Sequence, residues 1–292
     1  MSRRYDRTIR WMLWVAGAVL VLMVIGLIRG PARQPWQAGG GPKVGLVKIE
    51  GVIMSSERVI RQLEEFSRRK DIEAILVRIN SPGGTVAASQ EIYQKLKAVS
   101  SAGSKPVIAS LGTVAASGGY YVALAADTLM ANPGTTTGSI GVILDYPVAT
   151  DLLSKLGVQM EVVKSGALKD AGSPFRPPTA QDRRSFQRVI DDLHAQFVEV
   201  VAEERGMDLA EVKMLATGEI FSGRQAVENG LVDLLGGYED ALSLIAALLD
   251  TEQRPVVVRP AERRRLSLWD LLLGEEAHQN RATWLLPQYI LR

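Results

Sequence analysis

The chain has 292 residues, of which 47% are hydrophobic and 23% charged, so it can bury a substantial core in one large domain or two small ones. Its formal net charge of +2 is too small to indicate a nucleic-acid partner, and its Lys and Arg residues are interspersed with acids. The absence of cysteine excludes disulfides, thiolate catalysis and cysteine-based zinc sites, but it identifies no cellular compartment.

The first predicted element is Trp11–Ile28, a segment of eighteen residues without a charge. At about 1.5 Å per residue, a helix of this length covers about 27 Å, close to the hydrocarbon thickness of a bilayer. Four arginines precede it in residues 1–10, whereas only two follow closely, so the positive-inside rule places the N-terminus in the cytoplasm and the remainder outside. We therefore expect an uncleaved single-pass anchor. A cleaved signal peptide is the alternative, but Ile28–Pro31 makes a poor cleavage site.

Residues 29–42 are rich in Gly, Pro and Gln and are predicted to be a linker. Short apolar runs then alternate with helical patterns up to residue 260, which predicts crossover units, a mainly parallel sheet and an α/β fold. The predicted strands are Val44–Ile49, Ile72–Ile79, Pro106–Leu111, Thr128–Ala131, Val142–Leu144 and Val158–Val163. The predicted helices are Glu57–Arg69, Val86–Val99, Ala115–Ala125, Ala180–Arg205, Leu209–Thr217, Gly223–Asn229 and Glu239–Leu249.

The tail, residues 261–292, begins with three arginines and then carries leucines and tryptophans. This composition is compatible with an interfacial helix or a partner-docking segment. A helix packed on its own domain and a disordered end are equally open interpretations.

A serine among small residues is the first candidate for chemistry. Ser117 stands at the predicted start of a helix in Ala115-Ala-Ser-Gly-Gly119, where small neighbours allow a substrate backbone to approach closely. The free N–H groups of a first helical turn can also bind an anion. The sequence is not the G-x-S-x-G motif of Ser/His hydrolases, and a serine that merely caps a helix is the alternative.

A second candidate is the glycine pair in Asn80-Ser-Pro-Gly-Gly84, directly after a predicted strand. Paired glycines permit positive φ, so successive backbone N–H groups can converge on one point and stabilise an oxyanion. The simpler interpretation is a strand-to-helix turn that needs glycine only for its geometry.

A nucleophilic serine needs a base, and the two histidines are poor candidates. His194 falls in the middle of a predicted helix, and His278 lies in the tail. A lysine can replace histidine when its amine is neutral, which requires a low-dielectric environment. Lys164 and Lys169 both follow the predicted strand Val158–Val163, and the residues alone do not choose between them.

Four motifs in order resemble those of signal peptide peptidase A, the bacterial membrane-anchored Ser/Lys peptidases. They are Asn80-Ser-Pro-Gly-Gly84, Ala115-Ala-Ser-Gly-Gly-Tyr-Tyr121, Thr137-Gly-Ser-Ile-Gly-Val142 and Lys164-Ser-Gly-Ala-Leu-Lys-Asp170. The resemblance extends from about residue 44 to 250 and departs at Thr85, where many relatives have a third glycine. It implies a Clp protease/crotonase-like fold of repeated ββα-type units over residues 43–260.

The resemblance also implies roles for individual residues. Ser117 would be the nucleophile, Lys169 the general base and Ser139 the residue that orients Lys169, while the N–H groups of Gly84 and Gly118 would form the oxyanion hole. No metal or organic cofactor would be needed. The expected partners are peptide substrates, namely remnant signal peptides and unfolded segments, and membrane lipid around residues 11–28. The expected location is the extracytoplasmic side of the bacterial inner membrane, in a homo-oligomer whose neighbouring subunits complete the active sites.

Three alternatives stay open at this point. A quality-control peptidase for membrane proteins would use the same dyad on other targets. An acyl-CoA enzyme of the crotonase type would use the same fold, but it would need carboxylates where Ser117 and Lys169 stand and would not use an anchor. A non-catalytic scaffold would keep the fold without activity, although both dyad positions are intact.

Overall fold

The structure, a computed structural model, describes residues 40–260 and the backbone of residues 288–290. The predicted anchor Trp11–Ile28 and most of the predicted tail lie outside these residues. Within the described part, no helix combines the length and the apolar character that a bilayer crossing requires. Contacts divide the chain into Met1–Gly40 and Gly41–Arg292, and every element described below belongs to the second unit.

Ten strands are described, and eight of them form one mixed sheet. The strands are β1 (Lys43–Glu50), β2 (Ala74–Ser81), β3 (Gly83–Thr85), β4 (Val107–Ala116), β5 (Thr128–Ala131), β6 (Thr136–Gly138), β7 (Ile220–Ser222), β8 (Leu234–Leu235), β9 (Val256–Val258) and β10 (Gln288–Ile290). The main path through the sheet runs β7-β6-β4-β2-β1-β9, with β5 and β8 branching from β4. Every pairing in this sheet is parallel except that of β6 with β7, which confirms the predicted α/β fold.

Within residues 40–260, eight helices connect and cover these strands. They are α1 (Glu57–Arg68), α2 (Val86–Ser101), α3 (Gly118–Ala123), α4 (Thr150–Lys155), α5 (Ala180–Arg205), α6 (Leu209–Leu215), α7 (Gly223–Glu228) and α8 (Tyr238–Leu248). The α5 helix begins at a capping box between Thr179 and Asp182 and ends at Gly206, whose φ of +61° is left-handed.

The two faces of the sheet are buried against different helices because successive side chains of a strand point to opposite faces. Val47, Ile75 and Val77 belong to the larger core, together with residues of α1, α2, α3 and α5. Val44 and Leu76 belong to a smaller core, together with residues of α8. Burial on both faces explains why these strands are almost continuously apolar in the sequence.

One predicted strand is wrong. Val158–Val163 has a strand-like composition, but the structure has no strand there, and all six residues are exposed. Val163 is 97% exposed. The β-branched residues here pair with no neighbouring strand in the described chain. Their intrinsic preference for strand is therefore not supported by hydrogen bonds to a sheet. The predicted strand Val142–Leu144 is reduced to a bridge at Ile143.

The predicted helix Ala115–Ala125 is also corrected, because β4 continues as far as Ala116 and α3 begins only at Gly118. Ile79 pairs with Leu111 and Ser81 with Ala115, so β4 has two more residues than β2 between these pairs. The Asn80 side-chain oxygen accepts a hydrogen bond from the Val114 N–H at 3.2 Å across this irregularity. The bulge redirects the end of β4 and thereby sets the position of the residue that follows it, Ser117.

Candidate active site

Ser117 occupies a strained turn between β4 and α3. Its φ of 53° and ψ of −120° lie outside the regions that residues other than glycine favour, a conformation that costs on the order of 1–3 kcal/mol. Its side chain is fully buried, and its Oγ has no hydrogen-bond partner in the described chain. Strand, strained serine and helix follow one another as in the Ser/His hydrolases, although the sequence motif differs. Such a costly arrangement is characteristic of functional sites.

Ser139 lies beside Ser117 through the pairing of β4 with β6. The Ser117 N–H donates to the Gly138 C=O at 2.8 Å, and Ala116 pairs with Gly138. Ser139 follows directly, with a φ of 50° and its N–H donated to the Glu219 C=O at 2.7 Å. The two serines are therefore neighbours, and both have positive φ.

The glycine turn after β2 is held by local hydrogen bonds. The Ser81 Oγ accepts from the Gly83 N–H at 3.1 Å, and Gly83 has a φ of +106° that a side chain would strain. Gly84 lies against Ile53, so that a Cβ at this position would come within 2.0 Å of the Ile53 carbonyl oxygen. The turn also contacts α3, which brings it next to the helix that Ser117 begins.

Two elements with backbone N–H groups that are unpaired within the element, the strand β3 and the helix α3, contact each other beside Ser117. The first-turn amides of α3, including that of Gly118, have no acceptor within the helix. The Ile53 carbonyl takes the Thr85 N–H, and the Gly83 carbonyl takes the Ile53 N–H, both at 2.8 Å. Because successive backbone groups of a strand face opposite edges, the Gly84 N–H points away from Ile53.

Lys169 is not joined to this group of residues within the single chain. Its side chain is exposed, and within residues 40–260 its amine has no hydrogen bond or ion pair with Ser117, Ser139 or any other residue. Its backbone N–H donates to the Gly166 C=O at 3.1 Å and closes a turn. Lys164 differs, because its amine contacts the Asp170 carboxylate at 2.6 Å.

An ion network anchors the chain just after Lys169. Asp170 accepts from both Lys164 and Arg176, and Arg176 also contacts the buried Asp182 at 2.5 Å. The Arg176 guanidinium, with a further contribution from Lys164, lowers the pKa of Asp170 from 3.8 to about 2. Arg176 and the Thr179 N–H likewise hold the pKa of Asp182 well below its usual range. This network ties the lysine-bearing loop to the start of α5.

Replacing Arg176 with alanine is expected to lower the melting temperature by several degrees and to flatten its dependence on acid pH. A carboxyl group whose pKa is lower in the folded protein stabilises the fold above its unfolded pKa, and this contribution is lost as the pH falls through the folded pKa. For Asp170 this range extends from 3.8 to about 2. Melting temperatures from pH 6 to pH 2 test this. Arg254→Ala is the control, because it removes only the exposed pair with Glu239. Equal pH profiles for the two variants would refute this role of Arg176.

His194 makes no hydrogen bond with Ser117. Its Nε2 is buried without a hydrogen-bond partner, and its side chain lines a cavity of about 660 Å³ that Ser139 and Glu219 also line. The second histidine, His278, lies outside the described residues. Within residues 40–260, no histidine is therefore hydrogen-bonded to Ser117.

Three contributors to this site carried no signal in the sequence analysis. Ile53 supports Gly84, Asn80 closes the bulge of β4, and Arg176 anchors the Lys169 loop. Asn80 lies within a motif that the sequence analysis identified, but its amide was assigned no task. Ile53 acts through a contact about 30 residues away in the sequence, and Arg176 acts through Asp170 and Asp182, each six positions away, in a segment without a regular helix or strand pattern.

Comparisons with known proteins identify the family of the chain. The model of peptidase family S49 matches residues 99–252, and that of Clp protease matches residues 49–137. A provisionally named protease of Synechocystis is 43% identical over 241 residues, which are 79% of this chain and 85% of that protein.

Two further relatives extend the pattern. A provisionally named signal peptide peptidase SppA of Enterococcus faecium is 41% identical over 64% of this chain and 54% of its own length. Protease 4 of Haemophilus influenzae is 32% identical over 74% of this chain and 36% of its own length. The chain thus spans about half or less of these two relatives. These findings support a peptidase rather than an acyl-CoA enzyme or a scaffold. The chain belongs to peptidase family S49, with a Clp protease-like α/β fold and the activity of a serine peptidase.

Proposed function

We propose that this peptidase cleaves peptide bonds with Ser117 as the nucleophile and Lys169 as the general base, and that its substrates are remnant signal peptides in or near the membrane. The observation that carries the proposal is the strained turn that holds a buried, unpartnered Ser117 hydroxyl beside the Gly84 turn. The name of the Enterococcus faecium relative supports the substrate class.

The mechanism is acyl transfer. A neutral Lys169 amine removes the Ser117 proton, and Oγ attacks the scissile carbonyl carbon. The N–H groups of Gly84 and Gly118 stabilise the oxyanion, each contributing on the order of 10²- to 10³-fold to the rate. The protonated amine then donates to the leaving nitrogen. Water then attacks the acyl carbon while Lys169 takes a proton from it, the bond between the acyl carbon and the Ser117 Oγ breaks, and the protonated amine returns the proton to Oγ. The Ser139 hydroxyl forms a hydrogen bond with the Lys169 amine and orients it.

Lys169 reaches Ser117 from a neighbouring subunit in this proposal. Two observations support it: the Lys169 side chain is exposed, and the Ser117 hydroxyl has no hydrogen-bond partner among the residues that the structure describes. The region around Lys169 also exposes large apolar side chains that a monomer would normally bury. They include Leu152, Leu156, Val158, Met160, Val162 and Val163. A homo-oligomer that covers these residues would place the amine in the low-dielectric environment that a neutral lysine requires.

The location proposed for this chemistry is the extracytoplasmic face of the membrane. The uncharged Trp11–Ile28 segment and the arginines that precede it support an anchor with a cytoplasmic N-terminus. An anchored enzyme would stay beside the hydrophobic fragments that signal-peptide removal leaves in the bilayer.

A membrane-impermeant, serine-reactive phosphonate tests the nucleophile and the location together. Added to intact spheroplasts that express the full chain, it should form an adduct on Ser117, identified by peptide mass, and Ser117→Ala should abolish this adduct. Labelling only after the membrane is permeabilised would contradict the location but retain the nucleophile. If Ser117 stayed unlabelled in both preparations, the proposed mechanism would be refuted.

A further inference from the structure

The chain's own C-terminal segment pairs with the strand that carries Gly84. Strand β10 runs antiparallel to β3, with Gln288 opposite Thr85, Tyr289 opposite Gly84 and Ile290 opposite Gly83. It also contacts α3, the helix that begins at Ser117. The expectations for the tail are an interfacial helix, a partner-docking segment, a helix packed on its own domain or a disordered end, and none of them specifies this strand.

The two edges of β3 serve different neighbours. Ile53 takes one edge through the Gly83 C=O and the Thr85 N–H. Because backbone groups alternate along a strand, the N–H and C=O of Gly84 face the other edge, where Tyr289 lies. The Gly84 N–H is also the donor that the proposed mechanism assigns to the oxyanion. Tyr289 therefore occupies the position opposite Gly84 at which the backbone of a substrate would bind this donor.

We infer that the C-terminal segment is an intramolecular substrate mimic, in which residues 288–290 occupy the edge of β3 on which a peptide substrate docks. The inference rests on the proposed function, because it takes this edge as the substrate site. Addition of a strand to an exposed edge is a general mode of peptide recognition, in which main-chain hydrogen bonds provide much of the affinity. An incoming peptide has to displace the segment before it can be cleaved.

The energetics favour a block that substrates can displace. A tethered segment competes at an effective concentration of about millimolar without any strong contact of its own. A three-residue pairing is also short, so a longer extended peptide with more contacts can displace it. The segment therefore raises the apparent KM for peptides and leaves kcat unchanged.

Proline substitutions in the full chain distinguish the two faces of β10. Tyr289→Pro removes the N–H that faces Gly84, whereas Ile290→Pro removes one that faces away. Both variants are made in a Ser117→Ala background, and binding of a dye-labelled peptide with the sequence of residues 281–292 is measured by fluorescence anisotropy. We expect the Tyr289→Pro variant to bind at least about fivefold more tightly than its parent, and Ile290→Pro to bind like the parent. Equal affinities for all three proteins would overturn the inference.

The same substitutions with Ser117 intact separate this inference from the proposed function. Tyr289→Pro should lower the KM for an unrelated peptide about fivefold at unchanged kcat, while Ile290→Pro behaves as the native chain. An unchanged KM in Tyr289→Pro would overturn the inference and leave the peptidase mechanism in place. Tighter binding by Tyr289→Pro without hydrolysis by any of the proteins would support occupancy of the edge and refute the mechanism instead.

Discussion

Replacing Ser117 with alanine is expected to reduce kcat/KM for peptide hydrolysis by about 10⁴- to 10⁶-fold, as loss of the nucleophile does in other serine peptidases. Folding should not suffer, because the hydroxyl is buried and has no hydrogen bond to lose within the described part of the chain. Leaving a polar group unpaired in the interior is unfavourable, so we expect the variant to melt at the same temperature as the native chain or higher. Steady-state kinetics and calorimetry on the same preparation test both parts.

Ser110 provides a matched control for this substitution. It is equally buried and lies on β4, but its Oγ accepts a hydrogen bond from Arg78 at 2.7 Å. Ser110→Ala leaves the Arg78 guanidinium without this acceptor, so it should lower the melting temperature while kcat stays near the native value. If the two variants lost activity to the same extent, the effect of Ser117→Ala could not be assigned to a nucleophile.

Replacing Lys169 with alanine should lower kcat by about 10²- to 10⁴-fold, whereas Lys164→Ala should retain kcat within about threefold. The physical difference is that the Lys164 amine is held by Asp170, while the Lys169 amine has no hydrogen bond or ion pair within residues 40–260. Single-turnover rates of acyl-enzyme formation measure the step that needs the base. Normal rates in Lys169→Ala together with a large loss in Lys164→Ala would transfer the assignment to Lys164.

Mixing the two inactive variants tests whether the base comes from another subunit. When Ser117→Ala and Lys169→Ala chains are unfolded together and refolded in equal amounts, about a quarter of the contacts should join an intact serine to an intact lysine if subunits pair at random. Activity should then return to a comparable fraction of the native value. A dyad within one chain would leave the mixture as inactive as either variant alone.

The central sheet could be predicted because its strands are buried on both faces. Runs such as Ile72–Ile79 and Thr128–Ala131 are almost entirely apolar, and they coincide closely with β2 and β5. The strand prediction fails at Val158–Val163, where Gln159 and Glu161 interrupt the apolar residues and the whole segment is exposed. Composition indicates how much free energy a segment would gain if its apolar side chains were buried. It does not show whether they are buried by the same chain or by another one.

The site could be predicted only in part, for a related reason. The serine and the glycine turns left local signatures, because positive φ and close backbone approach demand particular residue types. The bulge between Leu111 and Ala115, which aims Ser117, depends on pairing with β2 and leaves no pattern within β4 itself. The pairing of Tyr289 with Gly84 joins residues about 200 positions apart, and no local periodicity encodes such a contact.

The length of β3 has a consequence for what this enzyme can accept. The strand has three residues and measures about 10 Å, so Gly84 alone offers both of its backbone groups to an incoming chain. A polypeptide that is bound through its main chain at one point would be selected for its extended conformation, and its amino-acid sequence would matter less. In native proteins such stretches are hydrogen-bonded within sheets and helices, so their folded conformation would protect them from cleavage. Unfolded hydrophobic peptides would have no such protection.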